Sequence, residues 1–514
     1  MKDYSKLQNG SDIRGVAISA EKGDVPNLTA EAAADIARGF LAWLSLKKGR
    51  TPKELKLAIG RDPRVTGRTL TDGLMHGFGP YGCRVLDCSL ASTPAMFMAT
   101  RFPELACDGA IMITASHLPW NRNGFKFFTA DGGLEKKDIS EILAFGADDA
   151  KAKEVLGEPT DHDSFIHRSG EKIYPAEEAD VMGPYCRHLR DIIISGCDMG
   201  DRPLEGLKIT VDAGNGAGGF YARDVLAPLG ADVSASQYLD PDGMFMNHAP
   251  NPEDREAMHS ISMKTLTSSS DLGLIFDTDV DRSAAVDEKG REIARNGIVA
   301  LASALVAEDH PATTVVTDSI TSRQLTSFLE KELGLKHFRY RRGYRNVINK
   351  AIELNEEGTD CQLAIETSGH AALKENFFLD DGAYLAAKIV IKTARLKAEG
   401  KTIGSVIEDL EEPADEKEIR IPILADDFGA YGDQVLMDLE QFVEESSELA
   451  LEKPNYEGVR INFPKGWCLL RKSLHDPIMP MNIASDKAGG CGDILEVMKG
   501  FLDGYDGLDR RVLK

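Results

Sequence analysis

Three aspartates alternate along a short segment that directly follows a run of apolar residues. The run is 272–276, and the segment reads Asp277-Thr278-Asp279-Val280-Asp281-Arg282. In an extended segment the three carboxylates would share one side, whereas a tight loop would converge them on one ion. Three carboxylates form a hard oxygen site of the kind that magnesium prefers, with open positions left for phosphate oxygens. The pattern predicts a magnesium site formed by Asp277, Asp279 and Asp281.

Other interpretations of the same segment are an acidic turn in solvent, a calcium loop and a phosphatase motif. A calcium-binding EF-hand loop would place Glu288 at its twelfth position, but Arg282 occupies the sixth position, where that loop needs glycine. A strand also precedes the segment where a helix is required, so the EF-hand is rejected. In an aspartyl phosphatase, Asp277 would be the nucleophile and Asp279 an acid or base. The aspartates alone leave that alternative open.

A serine follows a second apolar run, at 110–113. The segment after the run reads Thr114-Ala115-Ser116-His117-Leu118-Pro119. A serine at a strand end can carry a phosphoryl group if a cation offsets the charge of the transferring phosphate. His117 and Lys126 are nearby groups that can move protons. Taken alone, a serine followed by a histidine is a weak pattern, and an ordinary turn serine is the competing interpretation.

The elements that must position these groups form a weak internal repeat. Three times, a short apolar strand runs into a polar loop, a helix follows, and a further apolar strand ends in another polar loop. The opening strands are predicted at 55–60, 207–211 and 313–316, and the final strands at 110–113, 272–276 and 362–365. Alternating strands and helices indicate mainly parallel α/β sheets, in which ligands lie beyond the carboxyl ends of the strands. The three final loops, which contain Ser116, the aspartates and Glu366, all lie at such ends.

Other segments complete the predicted architecture. A helix is expected over the apolar stripe from Ala33 to Leu44, with Thr29 as its N-cap. The polar stretch 147–180 is predicted to connect the first repeat to the second as a surface loop. Beyond about 411 the pattern changes to a strand at 419–423, a helix near 431–444, strands at 459–463 and 467–470, and a helix near 492–502. This last part is predicted to be a separate α+β domain without a fourth repeat.

Composition excludes several classes of protein. The 514 residues are enough for three or four domains. A formal net charge of −23 argues against nucleic-acid binding through the bulk electric field. The eight cysteines contain no C-x-x-C pair, which favours reduced thiols over disulfides or a zinc site. No apolar run approaches the ~18 residues that span a bilayer, so we expect a cytoplasmic protein without a membrane partner.

In combination, these segments resemble the α-D-phosphohexomutase family, the phosphoglucomutase and phosphomannomutase group. Asp12-Ile13-Arg14-Gly15 and Gly60-Arg61-Asp62-Pro63-Arg64 look like its first two motifs. The Ser116 segment is similar to the phosphoserine signature Thr-Ala-Ser-His-Asn-Pro, with Leu118 in place of asparagine. The aspartate segment is similar to the metal loop Asp-Gly-Asp-x-Asp-Arg, with Thr278 in place of glycine. Glu366 to His370 resembles the sugar loop, with Ile365 in place of its first glycine. The resemblance extends in order over nearly the whole chain.

The resemblance implies an α/β fold of three similar mixed α/β/α domains plus a C-terminal α+β domain around a central cleft. The domains expected are a phosphoserine domain at 1–180, a metal-binding domain at 181–307, a sugar-binding domain at 308–415 and a phosphate-binding domain at 416–514. The implied activity is a mutase that interconverts hexose 1-phosphate and hexose 6-phosphate, with glucose or mannose as the sugar. The reaction would pass through phosphorylated Ser116 and a 1,6-bisphosphate intermediate, which would also act as activator.

The resemblance also assigns roles to residues. One Mg²⁺ per chain would be held by Asp277, Asp279, Asp281 and a phosphoserine oxygen of Ser116. Lys126 is the candidate base, with His117 and His370 as its possible partners, and Arg14 and Arg282 would hold the phosphate near Ser116. Sugar and substrate phosphate would be bound by a set drawn from three loops: Glu366, Ser368, Gly343, Arg345, Arg471 and Ser473. The only expected partner is a phosphosugar, and the enzyme is expected to be a monomer or a homodimer.

The C-terminal phosphate loop departs from the family pattern. The family has Arg-x-Ser-Asn-Thr-Glu-Pro, whereas this chain has Arg471-Lys472-Ser473-Leu474-His475-Asp476-Pro477. Two hydrogen-bonding side chains are lost, although Arg471 remains a good bidentate partner for phosphate. This departure keeps a hexose-1,6-bisphosphate synthase among the alternatives, beside a phosphoglucosamine mutase and a non-catalytic sugar-phosphate sensor. Intact Ser116 and the three aspartates argue against the sensor.

Overall fold

The computed structural model describes residues 2–20, 23–160, 165–166, 172–473 and 476–513. The chain divides into two compact units. The first comprises Met1–Ile298 and Ser368–Val406, and the second comprises Val299–Thr367 and Ile407–Lys514. The domain boundaries expected from the sequence stay a prediction.

The first part of the first unit is a mixed sheet covered by helices. Its elements are β1 (Gln8–Asn9), β2 (Asp12–Val16), α1 (Ala30–Lys48), β3 (Lys56–Arg61), α2 (Gly67–Phe78), β4 (Arg84–Leu90), α3 (Thr93–Met98), β5 (Gly109–Ile113), β6 (Arg122–Thr129), β7 (Gly132–Gly133), α4 (Lys136–Ala147), α5 (Asp149–Leu156), β8 (Phe165–Ile166), β9 (Lys172–Ile173) and β10 (Glu177–Glu178). The strand order is β1-β2-β6-β5-β3-β4-β10, with β7 paired to β6 and a separate β8–β9 pair. Strand β5 runs parallel to β3, so its carboxyl end presents the Ser116 loop at the edge where parallel strands end.

Helix α1 has the N-cap and the buried face that the sequence predicts, and it extends beyond the predicted stripe to Lys48. Its N-cap Thr29 accepts a hydrogen bond from the amide of Ala32, and the helix ends at Gly49 in the left-handed conformation. The apolar stripe from Ala33 to Leu44 is buried in the core of this part. The predicted helix is confirmed.

The prediction of a surface loop over 147–180 is wrong for its first part, which forms α5. Asp148 caps this helix by accepting hydrogen bonds from the amides of Ala150 and Lys151. Ala152 and Leu156, four positions apart on one helical face, are buried. Further along, Glu177–Glu178 adds to the large sheet as β10, parallel to β4.

The second part of the first unit contains the strand that precedes the aspartates. Its elements are α6 (Met182–Cys197), β11 (Ile209–Asp212), α7 (Arg255–Thr267), β12 (Leu272–Phe276), β13 (Ser283–Val286), β14 (Glu292–Ile293) and the start of α8 (Asn296–Asp309). The sheet order is β11-β12-β13-β14, with β12 parallel to β11 and antiparallel to β13. All five residues of β12 are buried, which explains their continuous apolar run.

The second unit begins with three parallel strands. Its elements up to 367 are the rest of α8, β15 (Thr314–Thr317), α9 (Arg323–Ser327), β16 (Lys336–Arg339), α10 (Tyr344–Glu356) and β17 (Cys361–Ile365). Strand β15 lies between β16 and β17. The chain then contributes a hairpin and a long helix to the first unit: β18 (Ala371–Leu373), β19 (Leu379–Asp380) and α11 (Gly382–Ala398).

The C-terminal part of the second unit is an antiparallel sheet with helices. Its elements are β20 (Asp415–Pro422), α12 (Phe428–Glu444), β21 (Ala450–Leu451), β22 (Val459–Phe463), β23 (Gly466–Leu470), β24 (Ile478–Ser485) and α13 (Gly490–Leu502). The strand order is β20-β24-β23-β22-β21. The expected mixed α/β architecture and the C-terminal α+β domain without a fourth repeat are confirmed.

Two further observations bear on the expectations from composition. All eight cysteines are free, and seven of them are buried. Among the residues that the structure describes, no helix is both long enough and apolar enough to cross a membrane.

Candidate active site

Ser116 lies in the loop that follows β5, with its side chain facing the aspartate segment. The residue is 2% exposed and has a φ of 50°, in the left-handed region. Its Oγ donates a hydrogen bond to Asp277 Oδ2 at 3.0 Å and accepts one from Arg282 Nη2 at 3.3 Å. Segments that lie 161 positions apart in the chain are thus joined at one hydroxyl. The predicted meeting of the serine and the aspartate segment is present in the structure.

The three aspartates converge because their segment forms a tight loop. The loop joins β12 to the antiparallel β13, with Phe276 opposite Ser283. Val280 adopts a φ of 69°, which turns the chain back on itself. Asp277, Asp279 and Asp281 are fully buried, and ligand oxygens from the three lie within 4.8 Å of one another. Of the two geometries that the sequence left open, the structure has the convergent one.

The three aspartates have the composition of a site for a hard cation. Asp279 Oδ1 and Asp281 Oδ1 are buried and have no hydrogen-bond partner among the described residues. Buried carboxylate oxygens without a partner are costly, and a cation removes that cost. Burial, followed by the neighbouring Asp281 and Asp279, raises the pKa of Asp277 well above its usual range. The residues therefore fit a bound divalent cation.

Two basic side chains offset part of this negative charge. Lys126 Nζ contacts Asp281 Oδ2 and lies 3.4 Å from Asp279 Oδ2. Arg282 Nε donates to Asp277 Oδ2 at 3.1 Å. Burial opposes the ionisation of Asp281, but these cations and His370 outweigh it and hold the pKa of Asp281 below its usual range. Lys126 lies on β6, whose pairing with β5 brings it beside the serine loop.

The pKa values of the two histidines of the site are shifted in opposite directions. Desolvation, followed by the nearby Arg282 and Arg14, lowers the pKa of His117 to about 2. His117 is therefore neutral, and its Nδ1 lies 3.3 Å from Ser116 Oγ. For His370, burial lowers the pKa, but Asp380 and Asp281 outweigh burial and raise it to about 9. The His370 Nδ1 lies 2.6 Å from Asp380 Oδ2, so His370 is an imidazolium paired with a carboxylate.

The remaining predicted residues of the first unit lie on the same elements. Arg14 is on β2, opposite Gly124 of β6, and its Nη2 donates to Asp12 Oδ2 at 3.1 Å. Ser368, at the start of the segment that returns to this unit, is buried. The structure thus brings together Ser116, His117, Lys126, the three aspartates, Arg282 and His370.

The other predicted binding residues belong to the second unit. Glu366 follows β17, and its Oε1 accepts a hydrogen bond of 2.5 Å from the amide of Gly343, which has a φ of 116°. Arg345 lies in the first turn of α10. The loop that contains Glu366 and the Gly343 turn are therefore adjacent.

The C-terminal loop of the second unit begins directly after β23. Arg471 is buried for the most part, with its Nη1 4.0 Å from Glu457 Oε1, and burial lowers its pKa. Ser473 Oγ accepts a hydrogen bond from the amide of Asp476 at 3.2 Å. Leu474 and His475, at which the loop departs from the family pattern, lie outside the described residues.

Three residues that the sequence did not single out contact the site. Thr93, at the start of α3, donates from its Oγ1 to Asp279 Oδ2 at 2.5 Å, and its amide donates to Asp279 O at 2.8 Å. Asn251 Oδ1 accepts from Arg282 Nη1 at 3.2 Å, and Asp380 pairs with His370. A serine or threonine before a proline just after a strand is common in proteins, and none of these residues stands in a motif that distinguishes it.

Family comparisons agree with this arrangement. Three family models match the chain in succession: phosphoglucomutase/phosphomannomutase alpha/beta/alpha domain I at 5–152, domain II at 184–290 and domain III at 295–413. Ser116 falls within the first match and the three aspartates within the second.

Curated relatives are similar over almost the full length of this chain. A phosphoglucomutase/phosphomannomutase of Thermococcus kodakarensis is 30% identical over 485 residues, which cover 92% of this chain and 93% of the relative. A phosphomannomutase/phosphoglucomutase of Pseudomonas aeruginosa is 29% identical over 477 residues, which cover 92% of this chain and 90% of the relative.

Solved structures are similar in fold. A phosphoglucomutase/phosphomannomutase family protein from Burkholderia thailandensis superposes with a TM-score of 0.76 at 23% identity, covering 97% of both chains. Parafusin, a phosphoglucomutase from Paramecium, superposes with a TM-score of 0.70 at 15% identity and covers 99% of this chain and 96% of its own.

Proposed function

The chain belongs to the phosphoglucomutase/phosphomannomutase family, and from this premise we propose that it is a hexose phosphate mutase acting through phosphorylated Ser116. Its substrates would be glucose or mannose 1-phosphate and the corresponding 6-phosphates. One observation carries the assignment of the nucleophile: Ser116 Oγ lies 3.0 Å from Asp277 Oδ2 and 3.3 Å from Arg282 Nη2. The guanidinium can stabilise the negative charge of a transferring phosphoryl group, and the carboxylate belongs to the cluster that fits a divalent cation, which can do the same.

The proposed reaction consists of two transfers that balance each other. A hydroxyl of the hexose monophosphate attacks the phosphorus on Ser116; an O–P bond to the sugar forms and the Oγ–P bond breaks. The hydroxyl proton passes to a base of the site, and the Oγ that leaves phosphorus takes up a proton. In the return transfer Ser116 Oγ attacks the other phosphorus of the 1,6-bisphosphate and loses its proton, the bond from that phosphorus to the sugar oxygen breaks, and the sugar oxygen takes up a proton. The enzyme thereby regains its phosphoryl group and the isomeric monophosphate leaves. The bisphosphate would also restore enzyme that has lost its phosphoryl group, which makes it the proposed activator.

Lys126 is the proposed base, with His117 and His370 as its partners. In the structure the Lys126 ammonium contacts Asp281 and lies near Asp279, so it is placed as a proton donor. To accept a proton it must first lose one. His117, which is neutral and lies 3.3 Å from Ser116 Oγ, already has an acceptor nitrogen. His370, whose pKa is raised to about 9, would donate a hydrogen bond to a phosphate or hydroxyl oxygen.

The three aspartates are the proposed ligands of one Mg²⁺, together with an oxygen of phosphorylated Ser116. When bound, the ion would offset negative charge on the transferring phosphoryl group. Arg282, which already donates to Ser116 Oγ, would hold the equatorial phosphate oxygens, with Arg14 beside it.

We propose that Glu366 and the Gly343–Arg345 turn, which lie in the second unit, bind sugar hydroxyls. Ser368, which lies in the first unit, is proposed separately as a residue that binds a sugar hydroxyl. Arg471 and Ser473 would bind the phosphate that is not being transferred. Arginine suits this role because its planar fork matches two phosphate oxygens at once.

The test is a coupled assay on glucose, mannose and glucosamine 1-phosphates with Mg²⁺, with and without added bisphosphate. Ser116→Ala is expected to lower turnover by orders of magnitude, because no neighbouring group replaces the nucleophile. Ser45→Ala is the matched control. It removes a buried hydroxyl of α1 that has no hydrogen-bond partner among the described residues, and it should keep full activity. Wild-type turnover in Ser116→Ala would refute the role of Ser116.

The same assay separates the alternative activities. A phosphoglucosamine mutase would prefer the glucosamine substrate, and a hexose-1,6-bisphosphate synthase would accumulate bisphosphate from an external phosphoryl donor. Release of inorganic phosphate alone would indicate a phosphatase. The proposal includes a cytoplasmic location and a monomeric or homodimeric state, and light scattering of the purified protein measures the latter.

A further inference from the structure

Arg64 is a buried arginine outside the residues so far assigned to the reaction, and every one of its side-chain donors is used. Its guanidinium is fully buried, as is the carboxylate of Asp62 beside it. An arginine has five N–H donors in a fixed plane. Those of Arg64 reach one carboxylate oxygen and four backbone carbonyls: Asp62 Oδ2 at 3.0 Å, Pro119 O at 2.7 Å, Arg122 O at 3.1 Å, Leu118 O at 2.8 Å and Ser116 O.

The four carbonyls all belong to the loop that carries the nucleophile. This loop comprises residues 114–122, from the end of β5 to the first residue of β6. Without Arg64, its carbonyls would need solvent or other protein groups as hydrogen-bond donors. One side chain thus fixes the backbone at positions from Ser116 to Arg122. The amide of Leu118 also donates to Ala115 O, which closes a turn around the nucleophile.

A second chain of hydrogen bonds, the second path, connects the Asp62–Arg64 ion pair to the amide of Ser116. Asp62 Oδ2 accepts a hydrogen bond of 2.8 Å from Thr114 Oγ1, and that oxygen in turn accepts one of 2.9 Å from the amide of Ser116. Ser116 is therefore held at its amide and at its carbonyl by groups that meet at Asp62 and Arg64. Such support matters because Ser116 has a φ of 50°, a conformation that costs free energy for a residue with a side chain.

The backbone of Arg64 also meets the domain that supplies the aspartates. It forms a parallel bridge with Gly243, where a Cβ would lie 2.2 Å from Pro63 O. The ring of Phe245 lies 5.1 Å from Arg64 Cζ. The residue that orders the serine loop is thus packed against a loop of the same domain as Asp277.

We propose that Arg64 is a positioning residue for phosphoryl transfer, which holds the 114–122 loop so that Ser116 Oγ faces Asp277 and Arg282. The expected effect on the transfer rate rests on the proposed function. The expected effect on the order of the 114–122 loop rests on the contacts of Arg64 alone. Arg64 touches neither the hydroxyl nor the aspartates, so it acts through the loop backbone. Lysine keeps the charge but has three donors at one point, which cannot reach four carbonyls spread along a loop.

The kinetic test compares Arg64→Lys with wild type in a single turnover from phosphorylated Ser116 to glucose 6-phosphate. The expected loss in the transfer rate is about 100-fold, the effect of a misplacement of roughly 1 Å at a reacting group. Binding of glucose 6-phosphate to the dephosphorylated enzyme, measured by calorimetry, should change by less than about 3-fold, because the sugar and distal phosphate contacts are untouched. A purely structural defect would lower the transfer rate and the affinity for glucose 6-phosphate together.

Arg38→Lys is the matched control in the same domain. Arg38 is also largely buried and donates to Asp35 and to the carbonyl of Gly146, in the helical layer of α1 and α4. It should retain the wild-type transfer rate even where its thermal stability falls as far as that of Arg64→Lys. If Arg64→Lys does not fold, Thr114→Val removes the second path, and the same loss of transfer with unchanged binding is expected.

Hydrogen–deuterium exchange tests the structural part without any activity. Amides of the 114–122 loop should exchange at least about 10-fold faster in Arg64→Lys than in wild type or Arg38→Lys, since the lost hydrogen bonds lower the cost of local opening. Unchanged exchange in the loop overturns the inference. An inactive wild type would instead overturn the proposed function, and the exchange comparison would still decide whether Arg64 orders the loop.

Discussion

Ser116, Asp277 and Arg282 show how buried charges of opposite sign hold one another in place. Asp277 accepts from both the hydroxyl and the guanidinium, and Arg282 also donates to the hydroxyl. Each group would be costly to bury alone, and the hydrogen bonds among the three offset part of that cost. The remaining unpartnered oxygens, on Asp279 and Asp281, face a cation in our proposal.

The proposed cation site can be tested by removing the hydroxyl of Thr93. Its Oγ1 donates to Asp279 Oδ2, which restrains the rotation of the carboxylate and leaves Oδ1 without a hydrogen-bond partner among the described residues. Loss of such an outer contact lowers metal affinity or activity by about 10- to 100-fold. Thr93→Val should therefore require about 10-fold more Mg²⁺ for half-maximal activity, as measured by titration after chelator treatment.

The matched control is Thr100→Val, which removes a buried hydroxyl that donates to Phe97 O in the turn after α3. Its Mg²⁺ requirement should equal that of wild type. An equal requirement in Thr93→Val would contradict the role of Thr93 in orienting Asp279.

At the scale of elements, helices α1 and α4 pack closely at Gly39 of α1 and Gly146 of α4. A Cβ added at Gly39 of α1 would lie 2.1 Å from the carbonyl oxygen of Ile142 in α4. Helix propensity alone favours alanine over glycine by about 1 kcal/mol. Steric overlap with a backbone atom cannot be relieved by rotating a side chain, so the packing term should dominate.

Gly39→Ala is therefore expected to destabilise the first domain, by about 1 to 3 kcal/mol. Gly500→Ala in α13 is the opposite case, since nothing lies within 4 Å of a Cβ at that position, and it should be neutral or stabilising by up to about 1 kcal/mol. Differential scanning calorimetry measures the unfolding transition of each variant. A higher melting temperature for Gly39→Ala would show that the α1–α4 contact adapts.

At the scale of the whole molecule, the proposed chemistry and the proposed binding of the distal phosphate belong to different units. Ser116 and the aspartates lie in the first unit, whereas Arg471 and Glu366 lie in the second. We therefore expect substitutions in the two units to affect different measured quantities.

Arg471→Met should weaken binding of glucose 6-phosphate by about 10- to 100-fold, because a charge-assisted hydrogen bond contributes about 1.5 to 3 kcal/mol. Mg²⁺ binding should stay at the wild-type value, and calorimetry measures both. Arg420→Met, which removes an exposed arginine from β20 of the same domain, should leave both unchanged. Wild-type sugar-phosphate affinity in Arg471→Met would show that this loop does not bind the distal phosphate.

The sequence by itself determined the strands that precede the site loops, the loops that follow them and the type of chemistry. Strand β12 was predicted at its observed bounds, because a strand buried on both faces must be apolar throughout. Ser116 and the aspartates were identifiable because few residue types perform phosphoryl transfer and hold a hard cation. The helix α5 was missed, since its stability comes from an N-cap at Asp148 and two buried residues within an otherwise polar stretch.

Only the tertiary structure decided which groups meet. Thr93 reaches Asp279 across 186 positions, and Arg64 reaches the nucleophile loop across more than fifty. Such contacts depend on how strands from distant segments are ordered in a sheet and on how two domains pack, and a local residue pattern does not encode either. The pKa shifts of His117 and His370, which have opposite directions, likewise follow from their neighbours in space, because both histidines have the same intrinsic pKa.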